Sequence, residues 1–240
     1  NGATVDDLKA RVVSAVNAMP TKEFVMGGGS PINRIDVPNP TVNMSLRRMV
    51  SRVDVFLKDN VSNFEITRVR IINARNGGYV YESLDNDYNV KTPASTSLVS
   101  YPFLAATEEA ANRAFTSRLY CHENYDATKD DDKTTAIIIG GMYKGQEVFY
   151  RVNLHDHASR SQVRRNYVYK VNILAVNGPG NTDPDAAILD APQNLDYEII
   201  DWDYGLHCEV IFDGKNYLGL SRSDFTFGKS ASDGISNIVT

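Results

Sequence analysis

The sequence predicts an all-β fold, an antiparallel β-sandwich with one or two short helices. The chain holds 13 Tyr and 9 Phe against 1 Trp, and Tyr-rich chains with many Val, Ile and Thr favour strands. Apolar and polar residues alternate in a succession of short runs. Lys144-Gly145 and Asp213-Gly214 sit between paired runs, the spacing of tight hairpin turns.

Composition narrows the function classes. The 240 residues carry 25 Lys+Arg against 30 Asp+Glu, a net charge of −5. With 42% apolar and 23% charged residues, the chain is not disordered, collagen-like or coiled coil. A mild acidic excess lacks the clustered cations that grip nucleic acid. The longest apolar run, residues 136–142, is about a third of a membrane span. At roughly 100–200 residues per domain, the length allows one large domain or two small ones. The chain opens on Asn1 without a Met, so it is expected to be processed or truncated, with a removed export signal still open.

The elements follow in order. Thr4-Val5-Asp6-Asp7 has capping-box spacing. Leu8, Val12, Ala15 and Met19 then recur at helical spacing until Pro20. Gly27-Gly28-Gly29-Ser30-Pro31 reads as a flexible boundary. Val53, Val55 and Leu57 alternate with Asp54, Phe56 and Lys58 as a strand. In the run from Phe64 to Ile72 the apolar phase shifts between Ile66 and Val69, which fits a bulge or two buried faces. Residues 85–96 read as a polar loop. Thr107, Glu108 and Glu109 open a second predicted helix that runs to about Leu119. Residues 124–133 form an acidic loop. A hairpin follows over 134–143 and 146–154. Tyr167, Tyr169, Val171 and Ile173 share one face of a strand over 166–176, and residues 195–202 form another. The runs 207–212 and 215–220 flank the turn at Asp213-Gly214.

Sites of chemistry are sparse. His155 and His157 could face one ion from a strand, but no third Cys or His lies nearby in sequence and a solvated loop accounts for them. Asp126, Asp130, Asp131 and Asp132 could attract calcium, though not at EF-hand spacing. No Gly-x-Ser-x-Gly or recognisable Cys–His pair is present. Arg47-Arg48 with Arg52, and Arg164-Arg165, read as strand-edge charge. Cys121 and Cys208 form either one disulfide or two buried thiols, and the second reading is preferred.

Two segments carry a family resemblance. Met44-Ser45-Leu46-Arg47-Arg48-Met49-Val50-Ser51-Arg52-Val53-Asp54-Val55 resembles a strand signature of the fimbrillins, the type V pilus subunits of anaerobic Gram-negative bacteria. Phe149 to Leu154, Val163-Arg164-Arg165-Asn166-Tyr167-Val168-Tyr169-Lys170-Val171 and Asn177-Gly178-Pro179-Gly180 resemble a second signature, which closes on a strand ending in Trp, here Trp202. The positions carrying the match are Leu46, Arg48, Arg52, Asp54, Arg165, Asn166, Tyr169, Gly178, Pro179, Gly180 and Trp202.

The resemblance implies transthyretin-like Greek-key β-sandwich domains, export as a lipoprotein precursor and assembly by donor-strand exchange. In that mode a neighbour's segment adds a strand to a sheet, gaining main-chain hydrogen bonds and side-chain pockets. The expected organisation is a C-terminal remnant of an N-terminal sandwich over 1–43, a main sandwich over 44–203, and an extension over 204–240. The extension is expected to be a donor strand, a final hairpin or the start of a further domain. Its candidate strand-exchange positions are Leu206, Cys208, Val210, Phe212, Leu218, Leu220, Phe225 and Phe227, for which ordinary hairpin core is the competing reading.

The leading expectation is a non-enzymatic fimbrial subunit or fimbrillin-like adhesin at the cell surface, in a fimbrium on the outer membrane. Its partners are other fimbrial subunits, with a host or bacterial surface ligand open. It needs no cofactor and no metal, and it meets the membrane only through a lipid anchor on the precursor. The alternative is a non-polymerising surface lipoprotein that binds carbohydrate or a host ligand through Tyr79, Tyr81, Tyr88 or Tyr101. A hydrolase using Asp130 and Asp132 is the third reading.

Overall fold

The computed structural model describes residues 4–14, 19, 24–29, 42–106, 113–128, 132–156, 158–191, 193–203, 208–212, 216–220 and 224–227. The first elements are α1 (Val5–Lys9), β1 (Val12–Ser14), β2 (Met26–Gly29), β3 (Val42–Arg48), β4 (Val50–Leu57) and β5 (Phe64–Ile72). Next come β6 (Ala74–Arg75), β7 (Gly77–Tyr79), β8 (Leu98–Val99), β9 (Leu104–Ala105), β10 (Ala114–His122) and β11 (Asn124–Tyr125). The hairpin of β12 (Ala136–Tyr143) and β13 (Gln146–Asn153) precedes β14 (Gln162–Val163), β15 (Tyr167–Val176), α2 (Ala186–Leu189) and β16 (Leu195–Asp203). The last strands are β17 (Cys208–Phe212), β18 (Asn216–Leu220) and β19 (Asp224–Phe227).

Two sheets form the body, one ordered β16-β15-β4-β10-β6-β8 and the other β13-β12-β5-β9. Their inward side chains share one core. Val53, Val55, Phe115, Leu119, Tyr169 and Val171 come from the first sheet, and Ile66, Val69, Ile137, Ile139, Val148 and Tyr150 from the second. The pairings are antiparallel except β4–β15, which run parallel with Val168 opposite Arg52. The all-β architecture with two short helices among the described residues matches the sequence expectation.

The β12–β13 hairpin turns at Lys144 (φ 48°) and Gly145 (φ 85°), the left-handed pair that a two-residue turn requires. The phase shift in β5 is a bulge. Gly140 faces Arg68 and Gly141 faces Ile66, so Thr67 has no opposite residue. Gly141 is compelled by the crowding there, since a Cβ would stand 2.2 Å from the Phe64 ring and 2.3 Å from the Glu65 carbonyl. β12 is buried on both faces. A second, smaller cluster of Ile72, Ala136, Ile138, Phe149 and Ala187 covers its outer side.

Three sequence expectations are corrected. The first helix has its capping box, with Asp7 N donating to Thr4 Oγ1 at 3.1 Å and Thr4 N donating to Asp7 Oδ2 at 2.7 Å. It ends at Lys9 rather than at Pro20. The β-branched Val12 and Val13 instead pair as strand with Tyr79 and Gly78, and Met19 joins the main core.

The second predicted helix is a strand over Ala114–His122, while residues 107–112 lie outside the described residues. Phe115 and Leu119, four apart, imitate a helical face. Residues four apart also share one face of a strand, and a bulge lies between these two, where Ser117 has φ 56° and donates its N–H to Asp54 Oδ1 at 2.8 Å.

The glycines at 27–29 form β2 rather than a flexible boundary, with Gly27 opposite Arg47. A Cβ on Gly27 would stand 2.0 Å from the Val80 carbonyl. The glycine therefore serves close backbone approach.

Candidate assembly surface

The first signature strand is β3 running into β4. Leu46 is half-buried and opposite Gly28. Arg48 is buried, its N–H reaches Asn166 Oδ1 at 3.4 Å, and its guanidinium stands over the Phe24 ring at 6.0 Å. Arg52 pairs with Asp54 at 3.0 Å. Asp54 is 2% exposed, so alternation along β4 does not bring it to solvent. Burial pushes its carboxyl up, opposed by the Arg52 charge and the Ser117 N–H.

The second signature contributes a buried ion pair. Arg165 donates to Glu123, with side chains 1% and 4% exposed. Its two terminal nitrogens also donate to the carbonyls of Val80 at 2.8 Å and Tyr79 at 2.7 Å. The basic pair Arg164-Arg165 is therefore not edge charge, because Arg165 lies in the interior. Burial raises Glu123 while the Arg165 hydrogen bond and charge oppose it. Burial also depresses neighbouring His122 to about 4, against a Met49 backbone hydrogen bond and with help from the Arg165 charge.

Asn166 holds φ 60°, donates its N–H to the Val50 carbonyl at 3.0 Å and joins the start of β15 to β4. Tyr169 is fully buried and its hydroxyl accepts from Arg164 N at 2.8 Å. Gly178 O accepts the Tyr150 hydroxyl at 2.7 Å. Pro179 O accepts from Asn194 Nδ2 at 3.0 Å. Gly180 crosses so near Phe149 that a Cβ would meet its carbonyl oxygen at 2.5 Å. Trp202 occupies the β16 position opposite Val168. These residues stitch strands and connections together.

The extension places Cys208 opposite Leu220, Val210 opposite Leu218 and Phe212 opposite Asn216 in the β17–β18 hairpin. Phe225 and Phe227 lie in β19 opposite Met44 and Val42 of β3. Leu206 lies outside the described residues.

The other candidates resolve into structural roles where they are described. Asp126 is buried and accepts from Thr128 N at 3.0 Å, Thr128 Oγ1 at 2.6 Å and Thr134 Oγ1 at 3.0 Å, closing its own turn. Asp130 and Asp131 lie outside the described residues, as does His157. His155 Nδ1 stands 2.9 Å from the Asp156 carbonyl. Asp156, which sequence reasoning passed over, accepts from Arg160 Nε at 3.0 Å and from Gln162 Nε2 at 2.5 Å. Those bonds and the Arg160 charge bring its carboxyl below the usual range although burial pushes it up.

Among the described residues no group of His, Cys, Asp and Glu could hold a metal ion, and no helix is long and apolar enough to cross a membrane. Cys121 is a free, buried thiol. Of the four tyrosines, Tyr88 is 69% exposed whereas Tyr101 is 2% exposed. Tyr101 belongs to the core and is corrected as a surface candidate. Tyr79 and Tyr81 are half-buried.

The fold resembles a protein ascribed to cell adhesion from Bacteroides eggerthii, at 15% identity over 84% of this chain and 71% of that one, with a TM-score of 0.49. It also resembles a fimbrilin, FimA, of Porphyromonas gingivalis, at 15% identity over 83% of this chain and 75% of that one, with a TM-score of 0.45. A protein ascribed to cell adhesion from Parabacteroides distasonis shares 17% identity over 65% of this chain, with a TM-score of 0.43. The match covers 52% of that protein, so the chain spans about half its length. No curated protein sequence matches the chain. The family model of the fimbrillin-A associated anchor proteins Mfa1 and Mfa2 matches residues 1–206. The match covers most of the 240 residues, and the chain belongs to that family.

Proposed function

We propose that the chain is a fimbrial component that joins other fimbrial subunits by strand addition, with residues 204–240 as its assembly segment. In this reading 44–203 is the main β unit and 1–43 the end of a preceding one. The precursor carries a lipid anchor to the outer membrane.

One observation carries the reading. β19, from the extension, lies antiparallel along β3 with Phe225 opposite Met44 and Phe227 opposite Val42. An alternating aromatic strand that completes a sheet within one chain has the backbone complement to complete a sheet in a neighbour. In the test, residues 204–240 are deleted and incorporation into fibres is measured. Incorporation falls while circular dichroism of the remaining chain is kept; normal incorporation by the truncated protein overturns the proposal.

Tyr88 favours a second reading, a surface protein that binds carbohydrate. It holds φ 62°, costly for an aromatic residue. The Asp85 carboxylate fixes its loop by accepting from Asp87 N at 2.9 Å and Asn89 N at 2.8 Å. Tyr88→Asn relieves the backbone and removes the ring. Glycan-array binding that this substitution abolishes supports the second reading, and binding it leaves unchanged removes Tyr88 from it.

A further inference from the structure

We infer that residues 177–191, the segment containing Gly178-Pro179-Gly180 and α2, are a built-in guard that closes the outer edge of β13 against strand addition by another chain. β13 ends its sheet. Its eight residues pair with β12 on one side only among the described strands. An edge of that length is a template for intermolecular pairing.

The segment occupies this edge at its middle. Phe149 N donates to the Asn181 carbonyl at 2.7 Å and Asn181 N donates to the Phe149 carbonyl at 3.0 Å, forming an antiparallel bridge. Outward main-chain groups alternate along an edge strand, so the guard takes a position that an incoming strand would need, flanked by those of Glu147 and Arg151.

The guard is fastened on both sides of that bridge. Before it, Gly178 O accepts the buried Tyr150 hydroxyl at 2.7 Å. After it, Arg70 Nη2 donates to the Pro184 carbonyl and to Asp185 Oδ1, both at 3.2 Å, and Arg151 donates to the Ile188 carbonyl. Ala187 is fully buried against Phe149, Ile72 and Ile138. Asn194 closes the loop, its carbonyl accepting from Asn177 N at 2.9 Å. Detaching this segment would free a β edge and bare an apolar face at once. Those two properties together drive edge-to-edge association. The inference rests on the strand-addition reading only for its purpose in a fibre, where a closed β13 confines pairing to other edges.

Two substitutions in the full chain open the guard. Gly180→Val puts a Cβ against the Phe149 carbonyl, and Asn181→Pro removes the bridging N–H. Light scattering after size exclusion, over a range of protein concentrations, reads association. Hydrogen exchange reads the Phe149 amide, which should exchange about tenfold faster once its bond is lost. Both variants should gain a concentration-dependent association that the parent lacks. Adding Glu147→Pro, which removes an outward-facing N–H at the edge together with the exposed Arg68–Glu147 ion pair, should reverse it. Tyr150→Phe loosens the guard without a backbone clash and serves if the first two variants unfold. Fast exchange at Phe149 without association overturns the inference, and so does an association that Glu147→Pro leaves in place. Because self-association at β13 is the readout, its failure leaves the role of 204–240 standing, and the converse holds.

Discussion

Arg165 and Glu123 meet inside the domain, 42 residues apart in sequence, with both side chains almost wholly buried. Arg165 also satisfies the carbonyls of Tyr79 and Val80, so the pair ties the segment after β7 to the segment leading into β15. Both side chains find their partners inside the fold, in a chain of the fimbrial anchor family. The buried charges accordingly serve its architecture.

Removing one partner leaves the other charge buried and uncompensated. Glu123→Gln or Arg165→Met should cost about 3–5 kcal/mol of stability, whereas replacing both with apolar residues should cost much less. Urea denaturation of the two single variants and the double variant measures this, and the double-variant cycle isolates the pair.

His122 makes stability depend on pH. Burial holds its folded pKa at about 4 against the ordinary histidine value of 6.5, so between those values the unfolded chain binds the extra proton. Stability should be fully present above pH 6.5 and fall as pH drops toward 4, by up to about 3 kcal/mol. Glu123, raised by burial, works in the opposite sense at the acid end. Denaturation midpoints at pH 7 and pH 5 should differ for the parent and converge for His122→Phe.

Gly141 is placed by crowding at the β5 bulge. Gly141→Ala sets a Cβ against the Phe64 ring and the Glu65 carbonyl and should cost about 1–3 kcal/mol. Gly145→Ala tests a different demand, because nothing lies within 4 Å of its Cβ position but φ is 85°. Its smaller cost is purely conformational. Thermal melts of the two variants compare crowding with backbone strain.

The Cys121 thiol is fully buried and burial pushes it up to about 11, partly opposed by the Ser51 hydroxyl. The reactive species is the thiolate. In a Cys208→Ser background, a thiol reagent at pH 8 should leave Cys121 untouched in the folded protein and label it on unfolding. Rapid labelling of the folded protein would contradict the burial.

Sequence alone determined what local pattern encodes. Period-two alternation defined β4 and β15, the turn at Lys144-Gly145 defined the β12–β13 hairpin, and the phase slip in β5 marked its bulge. The order of the signature residues pointed to the fimbrial family. Each depends on neighbours in the chain, because backbone sterics and side-chain direction act over a few residues. Tertiary structure decided what depends on contacts between distant segments. The run opened by Thr107, Glu108 and Glu109 reads as helix to about Leu119 until Ala114–His122 is seen paired with β4 around the Ser117 bulge, which Asp54 holds. Gly27 reads as flexible until the Val80 carbonyl is found above it. Asp54, Tyr101 and Arg165 are polar-bearing side chains that look exposed and are buried, because the desolvation of each is weighed against partners or packing supplied from elsewhere in the fold.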